Sequence, residues 1–251
     1  MLLSHVLYKP REWLFTHPDM ELSPEQTIQA DDLMKRLVSG EPLPYLVGKQ
    51  AFFGLDFTIT PDVLIPRPET EQLIEECLQW LEDQSHKRKV ADVGTGSGII
   101  AITLADHFDD LKITALDVSP AALNVAKINA HKFGVEQRIN FLQSDLFENC
   151  QDRFDLIVAN LPYIPSEKLK LLPVSLYEPL IALDGGQDGL GVIDKCLFQS
   201  TQILTPGGAM LFEIEADQAE AVTQLAQKYW PNAKITILFD LAKLPRIIKI
   251  Y

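Results

Sequence analysis

The stretch that decides the fold is "KVADVGTGSGIIAI", residues 89–102. A short apolar run ends at the first of three closely spaced glycines, Gly94, Gly96 and Gly98, and a second apolar run follows them. Glycine adopts left-handed backbone conformations without steric cost and lets a ligand come close to the main chain. The stretch therefore predicts a buried strand, a tight loop and a helix. The loop lies at the carboxyl end of the strand, where α/β sheets bind ligands.

Strand-like apolar runs recur from this stretch to the C-terminus. They are predicted at 89–94, 112–118, 138–145, 154–160, 209–214, 234–240 and 246–251, with helical patterns between the first six. Such alternation predicts an α/β fold with a doubly wound, mostly parallel sheet of seven strands. Only "LAKLP" separates the last two runs, which is too short for a crossover helix, so these two are expected to form an antiparallel hairpin.

The N-terminal part carries helical patterns and then a hairpin pattern. A helical stub is predicted at 2–8, and a longer helix has Ser23 as N-cap, Pro24 at its first position and Gly40 after its end. The segment 51–68 alternates like a β-hairpin, and 69–83 has one apolar stripe of a helix. We expect a helical domain at 1–40, a linker and β-hairpin at 41–68, and the sheet domain at 69–251.

Composition and charge limit the class of function. The 251-residue chain has a formal net charge of −13, which argues against broad binding of nucleic-acid phosphates. Its three cysteines show neither zinc nor redox spacing, so no metal site is expected and the thiols are predicted to be free and buried. No apolar run is long enough to span a membrane, and a cytoplasmic enzyme is the default expectation.

Acidic residues follow the second and third predicted strands. Asp117 is placed to accept the ribose hydroxyls of a nucleoside, and Asp145 is placed to face an adenine amino group. Each has an alternative interpretation as a cap of the next helix or turn, and the glycines alone fit a simple strand–helix turn. The spacing G-x-G-x-G differs from the dinucleotide motif G-x-G-x-x-G. The chain thus has a glycine loop at 94–98, which includes Thr95 and Ser97, and then an acid after each of the next two strands. This order of features favours S-adenosylmethionine as the cofactor.

The fourth predicted strand ends in Asn160-Leu161-Pro162-Tyr163. An amide or aromatic amino nitrogen is a poor nucleophile, and a site can help by accepting hydrogen bonds from its N–H groups. The side-chain oxygen of Asn160 and the backbone carbonyl of Leu161 are candidate acceptors, since Pro162 restricts Leu161 to extended backbone. Tyr163 is expected to give a flat face for a planar substrate group, and Asn160 to point at the donor methyl. The alternative is a capped Asn-Pro turn with a surface tyrosine.

The chain resembles the bacterial release-factor glutamine methyltransferases, the HemK/PrmC family. The resemblance rests on segments that extend in register over roughly residues 40–215: "GEPLPYLVGKQAFFGLDFTITPDVLIPRPETE", "ADVGTGSGIIAI", "ALDVSPAALNVAKINA", "VANLPYIP", "YEPLIALDGGQDGL" and "LTPGGAMLFEI". It implies a Rossmann-like methyltransferase sheet with a small N-terminal helical domain and a β-hairpin that help hold the substrate. It also implies methyl transfer from S-adenosylmethionine to the glutamine of the Gly-Gly-Gln motif in peptide chain release factors. A monomer without nucleic-acid or membrane partners is expected.

The chain departs from the family pattern at four points. Leu161 stands where the family usually has proline, and the proposed acceptor there is a backbone carbonyl. Leu146 stands where an aromatic residue often follows the third-strand acid, so adenine stacking at Leu146 is expected to be weaker. Glu215 stands where glycine is frequent. The N-terminal helical domain is expected to be shorter than in the family.

The same residues leave other functions open. Asn-Leu-Pro-Tyr also resembles the ribosomal RNA adenine dimethyltransferases, against which the acidic charge and the "LIPRPETE" segment count. A dehydrogenase fits the glycine spacing poorly, and a non-catalytic S-adenosylmethionine-binding module would bind the cofactor without turnover. Arg67 and Glu69–Glu71 have two equally favoured interpretations, a helix start stabilised by the dipole or the rim of the cofactor cleft.

Overall fold

The N-terminal part of the computed structural model, which describes residues 1–251, consists of four helices and a hairpin. The helices are α1 (Leu2–Leu7), α2 (Arg11–Thr16), α3 (Pro24–Val38) and α4 (Leu43–Val47), and the hairpin strands are β1 (Lys49–Phe52) and β2 (Leu55–Thr58). The predicted start of α3 is confirmed, because Ser23 and Gln26 form a reciprocal capping box. Helices α2 and α4 were not predicted, because α2 buries none of its residues and α4 has only five, so neither shows an apolar face in the sequence.

The remaining chain forms one sheet covered by helices. Its elements are α5 (Glu69–Asp83), β3 (Lys89–Val93), α6 (Ile99–His107), β4 (Lys112–Asp117), α7 (Pro120–Lys132), β5 (Ile139–Gln143), β6 (Phe154–Ala159), α8 (Ser166–Leu169), α9 (Gly191–Ile203), β7 (Leu204–Glu213), α10 (Ala219–Tyr229), β8 (Ile235–Phe239) and β9 (Pro245–Ile250). The strand order is β5-β4-β3-β6-β7-β9-β8. The pairs among β3–β7 are parallel, and β9 pairs antiparallel with both β7 and β8.

The predicted seven-stranded doubly wound sheet and its terminal antiparallel hairpin are confirmed. One detail was wrong: the segment between β5 and β6, residues 144–153, contains turns and no helix. Its residues cannot continue a helix because Leu146 adopts a left-handed backbone with φ of +53°. The chain therefore returns from β5, at the edge of the sheet, to β6, near its centre, through a loop.

The core has one layer on each face of the sheet. Alternate strand residues point to opposite faces, so Val90 joins the layer with α5–α7 and Ala91 joins the layer with α9 and α10. All three cysteines are free and buried in these layers, Cys77 in the first and Cys150 and Cys196 in the second, as predicted. None of the helices is long and apolar enough to cross a membrane.

Candidate active site

A cavity of about 590 Å³ opens at the carboxyl ends of β3, β4 and β6. Strand β3 has β4 on one side and β6 on the other, so this is the point where the strand order reverses and where such sheets bind ligands. Of the residues proposed from sequence, those that line the cavity are Gly94, Gly96, Asp117, Asp145, Leu146, Asn160, Leu161 and Pro162. Thr95, Ser97, Gly98 and Tyr163 do not line it.

The glycine loop requires its glycines for two different reasons. Gly94 has φ of +73°, and a Cβ there would lie 3.2 Å from Cδ2 of Leu161, so a side chain would be strained and crowded. Gly98 has φ of +84° and packs so closely on α6 and α7 that a Cβ would lie 2.8 Å from Cδ1 of Ile102. Gly94 therefore leaves room beside the cavity, and Gly98 allows α6 to begin directly against α7.

Asp117 lies at the end of β4 with its carboxylate tied to the glycine loop. Its Oδ2 accepts the N–H of Gly96 and its Oδ1 accepts the N–H of Ser119, both at 2.9 Å. Burial raises the pKa of Asp117, and these backbone hydrogen bonds oppose that shift. A carboxylate has about four acceptor positions, so two remain for hydroxyl groups of a ligand in the cavity. Asp117 is thus oriented by the loop rather than only capping α7.

Asp92, at the end of β3, forms a hydrogen-bonded pair with Thr95 of the glycine loop. The sequence predicted Thr95 at the site but did not reveal Asp92 as its partner. Thr95 donates its hydroxyl to Oδ2 of Asp92 at 2.6 Å, and the same oxygen accepts the N–H of Ala101 at 3.1 Å. Asp92 is fully buried, and burial raises its pKa to about 6. An acid inside the otherwise apolar run "KVADV" is the signal that could have identified it.

Asn129 on α7 joins the glycine loop to the hairpin and was also missed. Its Nδ2 donates to the carbonyl of Ser97 at 2.9 Å and to the carbonyl of Thr58 at 3.0 Å. Its Oδ1 accepts the N–H of Thr58 at 2.7 Å. Every hydrogen bond of this buried amide therefore fixes backbone, which makes Ser97 a link to the hairpin rather than a lining residue of the cavity.

The acid after the third strand is placed at the cavity but is already paired. Lys195 on α9 donates to Oδ2 of Asp145 at 2.6 Å and lies 2.7 Å from Glu148. Asp145 is half exposed. Leu146 is buried and contributes apolar wall beside it. The contact of Asp145 with an adenine amino group stays a prediction, and Lys195 is a neighbour that the sequence pattern did not reveal.

Asn160 follows β6 and is held by a buried pair of polar side chains. Its Nδ2 donates to Oγ1 of Thr70 at 3.1 Å, and that hydroxyl donates to Oε2 of Glu213 at 2.7 Å. Glu213 ends β7, the strand that pairs with β6, and is only 2% exposed. Burial raises the pKa of Glu213 to about 7. With its amino group engaged, Asn160 keeps its oxygen as the acceptor available to the cavity.

The segment after Asn160 is clamped by two glycines of "ALDGGQDGL". A Cβ on Gly185 would lie 2.8 Å from the carbonyl oxygen of Pro162, and one on Gly189 would lie 2.2 Å from that of Tyr163. Gln218 donates to the Tyr163 carbonyl at 2.9 Å. The Tyr163 ring packs half-buried against the α9–α10 layer. Tyr163 is not among the residues that line the cavity, and its predicted stacking role stays a prediction.

Arg67 joins two segments that are far apart in sequence. Its guanidinium donates to the buried carboxylate of Glu178, which also accepts the N–H of Ile65 at 3.2 Å. Glu71 accepts the N–H of Phe53 at 2.9 Å, which ties α5 to the hairpin turn. The two hydrogen bonds to Glu178 join the chain that follows the cavity-lining residues Asp62–Leu64 to the chain that precedes the cavity-lining residues Leu180–Ala182. Neither Arg67 nor Glu71 lines the cavity, so a role of Arg67 and Glu69–Glu71 at its rim stays a prediction.

Comparison with known proteins gives the family. Residues 71–173 match the model of the Methyltransferase small domain, and residues 1–48 match that of the PrmC N-terminal domain. A release factor glutamine methyltransferase of Koribacter versatilis is 40% identical over 253 residues, covering 99% of this chain and 88% of the relative. One of Bordetella pertussis is 42% identical over 231 residues, covering 91% and 84%. The chain belongs to the release factor glutamine methyltransferase family.

Solved structures confirm the methyltransferase fold for this member of the release factor glutamine methyltransferase family. A ribosomal protein L11 methylase from Lactobacillus delbrueckii matches with a TM-score of 0.51 and 25% identity, covering 73% of this chain and 78% of that one. The 16S rRNA N2 methyltransferase RsmC of T. thermophilus, in complex with AdoMet and guanosine, matches with a TM-score of 0.56 and 17% identity, covering 80% and 49%. The latter likeness concerns the fold alone.

Proposed function

We propose that this protein transfers a methyl group from S-adenosylmethionine to the side-chain amide nitrogen of a glutamine in a peptide chain release factor, within the Gly-Gly-Gln motif. The observation that carries the proposal is the Asn160 side chain, which faces the cavity with its oxygen free because Thr70 engages its amino group. The names and near full-length similarity of the relatives support the same activity.

The residues around the cavity fit the cofactor. A volume of about 590 Å³ is within the usual range for a cofactor site, ~300–1,000 Å³. Asp117 has two acceptor positions left for ribose hydroxyls, and Gly94 and Gly96 line the cavity without side chains. Leu146, Val118 and Ala122 add apolar wall. When bound, S-adenosylmethionine supplies an electrophilic methyl group on a sulfonium, whose departure as a thioether needs no acid.

The chain's own residues then act on the acceptor. Asn160 accepts one N–H of the glutamine amide through Oδ1, and the Leu161 carbonyl accepts the other. These two bonds favour the pyramidal nitrogen whose lone pair can attack, and they hold it in line with the methyl group. Methyl transfer forms the N–C bond and breaks the S–C bond, and it leaves the nitrogen strongly acidic. The nitrogen then loses a proton along one of its two hydrogen bonds, to Oδ1 of Asn160 or the Leu161 carbonyl, and that oxygen passes the proton to water when the methylated product leaves the cavity.

The proposed release-factor substrate gives a role to each part of the chain. We assign 1–40 to a helical domain, 41–68 to a linker and hairpin, and 69–251 to the methyltransferase domain. The first two parts are proposed to help hold the release factor, supported by the match of residues 1–48 to the PrmC N-terminal domain. A cytoplasmic monomer that contacts protein rather than nucleic acid agrees with the net charge of −13.

Methyl transfer to a defined glutamine tests the proposal. Purified protein is incubated with labelled S-adenosylmethionine and a bacterial release factor, and the label is located by mass spectrometry. Label is expected on the glutamine of Gly-Gly-Gln and absent when that glutamine is replaced by alanine. Label on ribosomal RNA instead of the release factor would make the protein a nucleic-acid methyltransferase. Cofactor binding without label on either would make it a binding module.

A further inference from the structure

The buried chain from Glu213 through Thr70 to Asn160 is the polar feature nearest the reacting atoms that the mechanism above does not use. Strands β6 and β7 pair in parallel register with Ala159 opposite Phe212, which brings Asn160 beside Glu213. Thr70 reaches both from the first turn of α5 and is fully buried. Three separate segments thus deliver polar groups to one point behind Asn160.

A free asparagine side chain can present either its oxygen or its amino group to the cavity. The two ends have nearly equal shape, but only the oxygen accepts the N–H of a substrate amide. An ionised glutamate accepts only, so it draws the hydroxyl proton of Thr70 toward itself at 2.7 Å. The Thr70 oxygen then has lone pairs alone for Asn160 and must receive its Nδ2 group, at 3.1 Å. The direction of each bond is set by the one behind it.

We propose that Glu213 and Thr70 are positioning residues that fix the amide of Asn160 with its oxygen toward the substrate nitrogen. The inference rests on the proposed methyl transfer to an amide. Neither residue touches the substrate, and both act through Asn160. Neutral Glu213 has a hydroxyl that competes for the Thr70 oxygen and no longer imposes one direction. The ionised form is therefore the active one.

The raised pKa of Glu213, about 7, makes this dependence measurable near neutral pH. The ionisable groups that act on Glu213 are Arg246 on β9, which favours its ionised form, and Glu69 on α5, which disfavours it. Tyr163 also faces Glu213. Burial, and next the charge of Glu213, raise the pKa of Tyr163, so Tyr163 stays neutral at the near-neutral pH at which Glu213 ionises. The maximal rate should rise with pH through the pKa of Glu213.

A threonine series with a matched control tests the inference. Thr70→Val removes the hydroxyl but keeps the shape, Thr70→Ser restores it, and Thr103→Val removes a buried hydroxyl on α6 that has no hydrogen-bond partner. With saturating cofactor and release factor, Thr70→Val should lower kcat roughly 10- to 100-fold. Thr70→Ser should recover most of the loss, and Thr103→Val should keep the wild-type rate. Cofactor affinity should be equal in all four proteins.

Equal kcat in Thr70→Val and wild type would overturn the inference, as would a Thr70→Val loss that Thr70→Ser does not recover. Glu213→Gln gives a second measurement, because it removes the ionisation and should flatten the pH profile between pH 5.5 and 8. A profile unchanged in Glu213→Gln would also overturn it.

The failure of the proposed function is distinguishable from the failure of this inference. If the wild type labels no release factor, the proposed function fails. The exchange rate of the Asn160 side-chain amino group, measured by NMR, then tests whether the hydrogen-bond chain from Glu213 through Thr70 to Asn160 exists in solution. Slow exchange that accelerates in Thr70→Val supports it, and equal exchange in the two proteins contradicts it.

Discussion

At the scale of single residues, Asn160 and Leu161 divide the acceptor function between a side chain and the backbone. Asn160→Ala should leave cofactor binding intact and lower the rate of methyl transfer by roughly 10²–10³, the usual effect of removing one preorganised polar group. Leu161→Pro should keep most of the rate, because it retains the carbonyl. Single-turnover rates at saturating cofactor measure both.

The control for that comparison is Leu161→Ala, which keeps the carbonyl but removes the side chain packed beside Gly94. Leu161 is 3% exposed, so this variant should lower stability by about 2–5 kcal/mol while the rate of the folded fraction stays near wild type. Full activity in Asn160→Ala, together with complete loss in Leu161→Ala, would contradict the prediction that Asn160 acts through its side chain and Leu161 through its backbone carbonyl.

Asp117 carries a separate prediction about the cofactor. Asp117→Ala should weaken S-adenosylmethionine binding by about 1.5–3 kcal/mol, since hydrogen bonds that involve a charge are lost. Titration calorimetry measures the change. Asp145→Ala is the comparison, and a smaller effect is expected because the Asp145 carboxylate is half exposed and paired with Lys195. Unchanged affinity in a folded Asp117→Ala protein would remove Asp117 from the site.

At the scale of elements, Asn129 connects β2, the glycine loop and α7. Asn129→Ala leaves the N–H and carbonyl of Thr58 and the carbonyl of Ser97 without their partner, so the free energy of unfolding should fall by about 1–3 kcal/mol. Cofactor affinity should also fall, because the loop loses a support. Urea unfolding and calorimetry measure the two effects.

Asn124→Ala on the same helix is the matched control, because Asn124 is exposed and makes no comparable contact. Equal unfolding midpoints and affinities in the two alanine variants would mean that the loop holds its shape without the hairpin.

The elements themselves were predictable, but their polar connections were not. The seven strands and the helices α3 and α5 follow from local apolar periodicity, and Asp117 and Asn160 are identified by their places at strand ends. The partners of Asn160 cannot be identified from the sequence, because Thr70 lies 90 residues from Asn160 and 143 residues from Glu213. Only the register of β6 against β7 brings these residues together, and no local pattern encodes it. Glu213 nevertheless left a signal, a single charge in the apolar run "AMLFEI".

At the scale of the whole molecule, two buried acids make stability depend on pH. Glu213 has a pKa of about 7 in the folded state against 4.5 as its ordinary value, and Asp92 about 6 against 3.8. Between the ordinary and the folded values, the folded protein holds a proton that the unfolded chain has released. Each group therefore lowers the free energy of unfolding as pH rises, by about 1.4 kcal/mol per pH unit within its window.

The expected outcome is that the protein is more stable to urea at pH 5 than at pH 7. Glu213→Gln should reduce the difference between the two midpoints, since the variant has no proton to lose at that position. The wild-type midpoint measured at both pH values is the control. An undiminished difference in Glu213→Gln would assign the pH dependence to other acids.

The burial of all three thiols has a practical consequence for watching the molecule at work. A thiol-reactive dye can reach Cys77 and Cys196, which are fully buried, only when the surrounding layers open, so its slow reaction there reports rare opening events. Cys150 is 8% exposed and offers the dye little surface. A cysteine introduced at Ile181, which is 57% exposed on the cavity wall, would react much faster than these three. One fluorophore could therefore be attached at the mouth of the cavity in the otherwise unaltered chain, and its emission would follow the arrival and departure of the substrate in real time.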